Sequence, residues 1–568
     1  MKYLALLLGC LMLFGCGATI QAQRPSAPSP KGGNGWQRVG IMDSGGPLMP
    51  EQAEYDITYY GLNVRVDPAE QSIAADLTAN ARVVKPLQWF VLDLDTVYTI
   101  SSVEALDEDG QATPISFERK IGKVWTDLGR EYEAGEVVRV RVTYSGKPRV
   151  AVNPPWGGGF TWAKTPSGEP WVATSMQGEG ADLWWPCKDH PSDEADSVAI
   201  NVTVPGGLVD VSNGRSRGVT DNADGTKTYH WFVSTPINNY AVALNIAPYR
   251  TITETFHSVS GMDLPVTFWI LPEAYDLGKK QLPEFLKHLA FYEKMLGPYP
   301  FRADKYGVAH TPYLGMEHQT IIAYGDDFDD EPWGYDWLHF HELGHEWWGN
   351  MVTAADWKDF WLHEGLTEYM QALYSEQLFG EDAYRKVIRQ FRSDLQNIQP
   401  VAPRETQTTD QVYFIAGQDG GTPNNDIYYK GAVILNSLRY LIGDEDFFTL
   451  LRRFAYPTPA LEQVTDGRQC RFVDTEDFVR MAEQVSGMKL EWFSNVYLRQ
   501  AALPELVQTQ TADGIKLAWK VPGDLPFPMP VDVEVDGQIR RVEMVNGQAT
   551  IPATGDVVID PGEWVLRK

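Results

Sequence analysis

The chain has 568 residues, 43% of them apolar and 12% aromatic, which supplies several packed cores and excludes a disordered protein. Its 76 acidic residues against 48 basic ones give a net charge of −28. That excludes nucleic acid and disfavours anionic lipid headgroups as partners, since both call for a positive face; the acidity serves solubility, and it also draws cationic ligands such as peptide amines.

The first residues read MKYLALLLGCLMLFGCGATIQA. One lysine, a short apolar run and small residues make residues 1–22 a secretory signal, too short to span a bilayer. Two cleavage readings compete. "LFGC" ending at Cys16 resembles a bacterial lipobox, and "IQA" ending at Ala22 resembles an ordinary signal-peptidase site. We take the first, because Cys16 stands where the apolar run ends; the chain is then an exported lipoprotein, periplasmic or tethered to the outer membrane through lipidated Cys16, and otherwise secreted. Past the signal only Cys187 and Cys470 remain, which is no disulfide framework, although one bridge stays open in an oxidising compartment.

Residues 23–49 are rich in Pro, Gly and Ser and read as a tether. From Tyr55 the pattern alternates: "LNVRVD" (Leu62–Asp67), "VVRVRVTY" (Val137–Tyr144) and "VAINVTV" (Val198–Val204) all have period two, with turn signals at 108–111 and 222–225. Residues 50–250 are expected to form an antiparallel β domain. From about 275 the period becomes helical. "LPEFLKHLAFYEKMLG" places Phe285, Leu289, Tyr292 and Leu296 near one face and stops at Gly297–Pro298. Helices are also expected over 333–352, 361–380 and 426–443, giving an α-rich domain over 251–445 and a small helical module over 446–502. After Leu503 alternation returns, with hairpin signals at Asp536-Gly537 and Asn546-Gly547, so 503–568 reads as a C-terminal β-sandwich. The fold class is multidomain α+β.

The chemistry concentrates in "WLHFHELGHEWWGN", Trp337 to Asn350. On a helix, His341 and His345 lie about one turn apart and ~40° round the axis, so both imidazoles reach one ion. Glu342 falls ~100° round from His341, beside that ion without being needed as a ligand. A catalytic zinc takes three protein ligands and keeps a fourth position open, so a third donor must come from elsewhere. "WLHEGLTEY" offers Glu364 and Glu368, i and i+4 on the next helix. Either could face the metal, with the other bonded to a ligand histidine's free N–H. His339 and His363 flank the site and read as packing or support.

H-E-x-x-H, eighteen residues, then Glu within "WLHEG" resembles the gluzincin aminopeptidases, the family of aminopeptidase N and leukotriene hydrolase, and "WGNMVT" matches it too. The family's usual form is "WLNEG"; here His363 replaces the Asn. The resemblance implies a thermolysin-like catalytic domain with one Zn2+ held by His341, His345 and Glu364, with Glu342 as general base and Glu368 in support. "YLGMEHQT" resembles the family's G-x-M-E-N signature, with Leu314 for the first Gly and His318 for the Asn. It implies that Glu317 binds the substrate's α-amine while the strand carrying Gly315 and Met316 pairs with the peptide. "YYKGAVIL" resembles Y-x-K-G, which makes Tyr428 the oxyanion-stabilising tyrosine and puts Tyr429 one position off. "SMQGEGADLWWPCKDHP" more loosely resembles a segment of the N-terminal domain, with Gln177 near the amine and Glu179 as a second candidate for amine contact.

The expected function is therefore a zinc aminopeptidase acting on peptides with a free N-terminus. An epoxide hydrolase or other zinc hydrolase on the same scaffold would use the same metal and Glu342. A non-enzymatic peptide-binding lipoprotein would be expected to lack ligands or base, and all are present.

Overall fold

The computed structural model describes residues 47–326, 328, 330, 332–415, 422–552 and 557–568. The expected signal sequence with Cys16, and all but the last three residues of the expected tether, lie outside the described residues. Among the described residues, no helix is long and apolar enough to cross a membrane.

Alternation becomes an eight-stranded sheet at the N-terminal end. Its central strands are Ser197–Pro205, Tyr55–Asp67, Ser72–Val83 and Val137–Gly146. Val198, Ile200, Val202 and Val204 are all buried and their neighbours are not, as period two demands. The sheet is antiparallel except where Tyr55–Asp67 pairs with Ser197–Pro205, which run parallel. Those two strands are separated by the rest of the domain, so no hairpin dictates their direction. A three-stranded and a four-stranded sheet complete the domain. In the latter, Gly159–Lys164 and Pro170–Ser175 form a hairpin whose second strand ends just before Gln177.

The next sheet is mixed and five-stranded, in the order Arg250–His257, Asp263–Ile270, Tyr306–His310, Ile322–Tyr324, Gly315–Met316. Gly315–Met316 is an edge strand, and Glu317 follows directly. Helix α1 (Tyr275–Leu296) crosses behind this sheet. Leu282, Phe285, Leu289, Tyr292 and Leu296 are fully buried, and the chain leaves at Gly297 with φ 108°. The helix begins well before Leu282; its first turns are largely exposed, and exposed turns carry no apolar stripe to read.

Helix α2 (Trp337–Gly344) is much shorter than the helix expected over 333–352. Asp336 caps it by accepting from the His339 amide at 2.9 Å. After Gly344 the chain turns, with Trp347 and Trp348 buried and Gly349 at φ 130°, into strand Val352–Ala354. Helices α3 (Trp361–Phe379), α4 (Glu381–Ser393), α5 (Thr409–Tyr413) and α6 (Tyr429–Ile442) follow. Then come α7 (Asp444–Ala455), α8 (Thr475–Ser486) and α9 (Glu491–Tyr497). One continuous apolar core runs from the first sheet through these helices.

The C-terminal segment forms two three-stranded sheets around a small core of its own, which includes Leu517, Val531 and Ile551. Asp536-Gly537, both at positive φ, joins Val531–Val535 to Gln538–Val542 as a hairpin. Asn546-Gly547 also turns at positive φ, but the strand after it, Gln548–Ile551, crosses to the other sheet and pairs with Gly514–Lys520. The second turn is thus a corner of the sandwich, because crossing buries Ile551 in the shared core.

Candidate metal centre

His341 lies in the last turn of α2 and His345 just beyond it, still with helical dihedrals (φ −67°, ψ −16°). Their Nε2 atoms are 3.1 Å apart. The first turn of α3 delivers Glu364, whose Oε2 is 3.4 Å from His345 Nε2 and 3.6 Å from His341 Nε2. Three donors bound at about 2.0–2.1 Å around a tetrahedral ion stand roughly 3.3–3.4 Å apart. The triangle fits that requirement. It is also buried, and the two imidazole nitrogens that face Glu364 Oε2 stand at the spacing of metal ligands, beyond ordinary hydrogen-bond length. Two nitrogens and a carboxylate oxygen are the donor set of a catalytic zinc site with an open position.

The ring orientations come from the short helix. Because α2 stops at Gly344, the Trp348 carbonyl turns back and accepts from His345 Nδ1 at 2.9 Å, which leaves Nε2 free for an ion. Glu368 Oε1 lies 3.7 Å from His341 Nδ1, and Gln371 Nε2 donates to Glu368 Oε2 at 2.7 Å. Glu368 therefore stands behind a ligand, on the far side of the imidazole from the triangle.

The charges are mutually dependent. Glu364 is drawn down to about 2: burial opposes ionisation, but the two imidazoles prevail. His345 is pushed up to about 10; burial works against its charge, and Glu317 and Glu364 outweigh it. Glu342 is pushed up to about 8 by burial, with the Glu317 and Glu364 carboxylates adding and the imidazoles opposing. Carboxylates that hold imidazoles protonated form a site where a dication replaces those protons.

A cavity of about 120 Å³ opens on this cluster, and Gln177, Gly315, Met316, Glu317, Glu342 and Tyr428 line it together with the triangle. A Cβ at Gly315 would stand 2.6 Å from Glu342 Oε1, so the absence of a side chain there leaves Glu342 its place against the strand. Glu317 is buried, accepts from the Gln177 amide and from the Tyr240 hydroxyl (3.2 Å), and has its backbone carbonyl held by Asn350 Nδ2 at 3.0 Å. No lysine or arginine among the described residues pairs with it. Glu317, Glu342 and His345 each offer an atom within 4.8 Å of the others, so the proposed anchor and base share one wall.

Tyr428, the residue before α6, interacts with Glu364; burial, then the charges of Glu364 and Glu317, push its phenol well above the usual range. Tyr429 also lines the cavity and stacks on Phe391, at 5.3 Å and 17°.

One expectation is corrected. Glu179 does not join Gln177 at the cavity. The chain turns over Met176–Gly180, with the amides of Glu179 and Gly180 both donating to the Met176 carbonyl, and Glu179 faces Arg149. Its carboxyl is pushed up to about 7 by burial, with Arg149 opposing. His318 is fully buried outside the cavity lining, and neither ring nitrogen has a hydrogen-bond partner among the described residues. His363 Nε2 accepts from the Ala354 amide at 2.8 Å. His339 stacks on Phe285 and bonds His288 and Tyr306. Sequence reasoning missed Tyr240, which carries no motif, and Asn350, which stood inside the quoted "WGN". It also missed Pro155 and Trp156, whose loop reaches the cavity from the N-terminal domain.

Two family models match in chain order: the Peptidase M1 N-terminal domain over residues 56–240 and the Peptidase family M1 domain over 336–497. Aminopeptidase N of Haemonchus contortus is 24% identical over 419 residues, 68% of this chain and 42% of that protein. Endoplasmic reticulum aminopeptidase 2 of Homo sapiens is 28% identical over 50% of this chain and 30% of its own length. Aminopeptidase B of Mus musculus is 28% identical over 49% and 42%. The chain thus spans less than half the length of these relatives. Among solved structures, the M1 zinc metallopeptidase of Deinococcus radiodurans shares the fold, with a TM-score of 0.63 at 24% identity over 80% of this chain and 96% of that one. Both halves of one family signature lie in this chain, in order and around one site, and the chain belongs to the M1 family of gluzincin aminopeptidases.

Proposed function

We propose that the protein is a zinc aminopeptidase that removes N-terminal residues from peptides. The observation that carries this reading is the placement of Glu317. It is a buried carboxylate without a lysine or arginine partner among the described residues, on the wall of the cavity that holds the ligand triangle. A buried carboxylate calls for a cation, and a peptide's α-ammonium is the cation that would hold the first residue beside the metal. Glu317, Glu342, Glu364 and Glu368 all line the cavity, and among the described residues two imidazoles stand opposite them; a dication and an ammonium together offset most of that negative charge.

His341 Nε2, His345 Nε2 and Glu364 Oε2 would hold the zinc. When bound, zinc supplies a Lewis acid that polarises a carbonyl and makes water acidic near neutral pH. Glu342 reaches the cavity across Gly315; it takes a proton from the attacking water and returns it to the departing amine. Tyr428 presents a hydroxyl beside Glu364, where it donates to the developing oxyanion. Gln177 and Tyr240 hold the Glu317 carboxylate in one orientation, so the ammonium is received at a fixed point and the cut falls after one residue. Export and a lipid tether through Cys16 belong to the same proposal and rest on residues 1–22 alone.

The test is hydrolysis of aminoacyl amidomethylcoumarins before chelation, after it, and after zinc add-back. The reading requires activity that chelation abolishes and zinc restores, on substrates with a free amine and not on their N-acetyl forms. Epoxide hydrolysis without amide cleavage would overturn it.

A further inference from the structure

A second, smaller cavity adjoins the first, and Trp156, Gln177 and Tyr428 line both. Gln177 bonds the proposed ammonium anchor, and Tyr428 interacts with a proposed metal ligand. The passage between the cavities therefore opens between the point that receives the α-amine and the point that receives the carbonyl. The atom between those two groups in a peptide is the first residue's Cα, so the side chain it carries points into the smaller cavity.

The walls there are Trp156, Tyr413, Phe414 and Pro423. The polar side-chain groups that line it are uncharged amides, hydroxyls and the Trp156 indole, and no charged side chain among the described residues does. Its volume is about 30 Å³; a water needs roughly 10–15 Å³ on that measure, so the space equals about two or three waters. That suits a side chain of three or four heavy atoms. Burying a guanidinium, ammonium or carboxylate there without a partner is unfavourable. Trp156 is held in place by its turn. The Gly157 amide donates to the Asn153 carbonyl at 2.8 Å, and the Trp156 carbonyl presses on Gly178 so closely that a Cβ there would stand 2.7 Å away. The wall is thus fixed to the residue after Gln177.

We propose that this side cavity receives the side chain of the substrate's first residue and restricts it to uncharged, chiefly apolar side chains of leucine or methionine size, with Trp156 and Phe414 as the residues that set this specificity. The proposal rests on the aminopeptidase reading. It adds which N-terminal residue is removed.

The test uses the full, zinc-loaded chain and aminoacyl amidomethylcoumarins of Leu, Met, Ala, Trp, Arg and Glu. Leu and Met are expected to exceed Arg, Glu and Trp in kcat/KM by about tenfold or more. Phe414→Asp is expected to raise the Arg-to-Leu ratio by about tenfold. Trp156→Ala is expected to narrow the Leu-over-Trp preference, with zinc content unchanged in both variants. Equal use of Leu and Arg by the parent protein, or ratios that neither variant moves at full zinc content, would overturn the side-cavity assignment while leaving the aminopeptidase reading in place. Absence of cleavage of any aminoacyl substrate would remove both.

Discussion

Gly365 on α3 and Gly431 on α6 meet backbone to backbone. A Cβ on Gly365 would stand 3.0 Å from the Gly431 Cα, and one on Gly431 would stand 2.9 Å from the Gly365 Cα. This contact brings the start of α6 against the first turn of α3, and so sets Tyr428 beside Glu364. In an ordinary helix, Gly→Ala adds up to about 1 kcal/mol of stability. Here an overpacking cost of about 1–3 kcal/mol competes with it, and the backbone-to-backbone contact leaves no flexible atom to give way. Gly431→Ala is expected to lower the melting temperature, and to lower kcat by up to about 100-fold as Tyr428 shifts. Thermal denaturation with steady-state kinetics checks both; a more stable, fully active variant would show that the contact does not position the tyrosine.

Glu342 lies on the cavity wall outside the ligand triangle, so metal content and activity should separate. Glu342→Gln is expected to keep one zinc per chain and lose about 100- to 10,000-fold in kcat. His345→Ala should instead lose the zinc itself, because it removes a donor. Metal analysis alongside kinetics distinguishes the two. Zinc loss in the Gln variant would mean that Glu342 belongs to the coordination set.

Tyr240 donates to Glu317 at 3.2 Å and stands far from Glu342 in role. Tyr240→Phe removes one hydrogen bond to a carboxylate, worth about 1.5 kcal/mol or more, so KM for free-amine substrates should rise about tenfold. Zinc content should stay whole, and kcat should change less than KM. A fall in kcat alone at unchanged KM would contradict an anchoring role for the Tyr240–Glu317 pair.

The ligand triangle was legible because each donor sits in a motif whose spacing is fixed by helix geometry. His341 and His345 are one turn apart, and Glu364 opens the next helix. The strands were legible where one face is buried, as at Val198–Val204. What stayed hidden depends on contacts distant in sequence. Tyr240 reaches Glu317 from the N-terminal domain, and Trp156 arrives on a turn with no period of its own. The early end of α2 was hidden for a different reason: "HEWWGN" continues a helical pattern, but burial of Trp347 and Trp348 and the turn at Gly349 override it. Glu179 was misplaced because a turn reverses direction between it and Gln177, and alternation cannot report that.

Glu194 gives a pH dependence whose sign can be worked out. It is buried, and its carboxyl is raised from 4.5 to about 8 by that burial, with the Thr353 hydroxyl opposing. Thr353 Oγ1 lies 2.7 Å from Glu194 Oε1 and 2.8 Å from the Gly349 carbonyl. One hydroxyl proton cannot serve both acceptors. A protonated Glu194 resolves this by donating to Thr353, which then donates to Gly349. Between pH 4.5 and about 8 the native state binds more protons at this site than the unfolded state, so stability falls as pH rises through that window. Glu194→Gln keeps a donor toward Thr353 and cannot ionise. The wild type is therefore expected to lose melting temperature from pH 6 to pH 9 relative to the Gln variant, both saturated with zinc so that metal affinity does not drive the difference. Parallel curves would show that Glu194 is already ionised in the folded protein, and that the Thr353 proton points to it and not to Gly349.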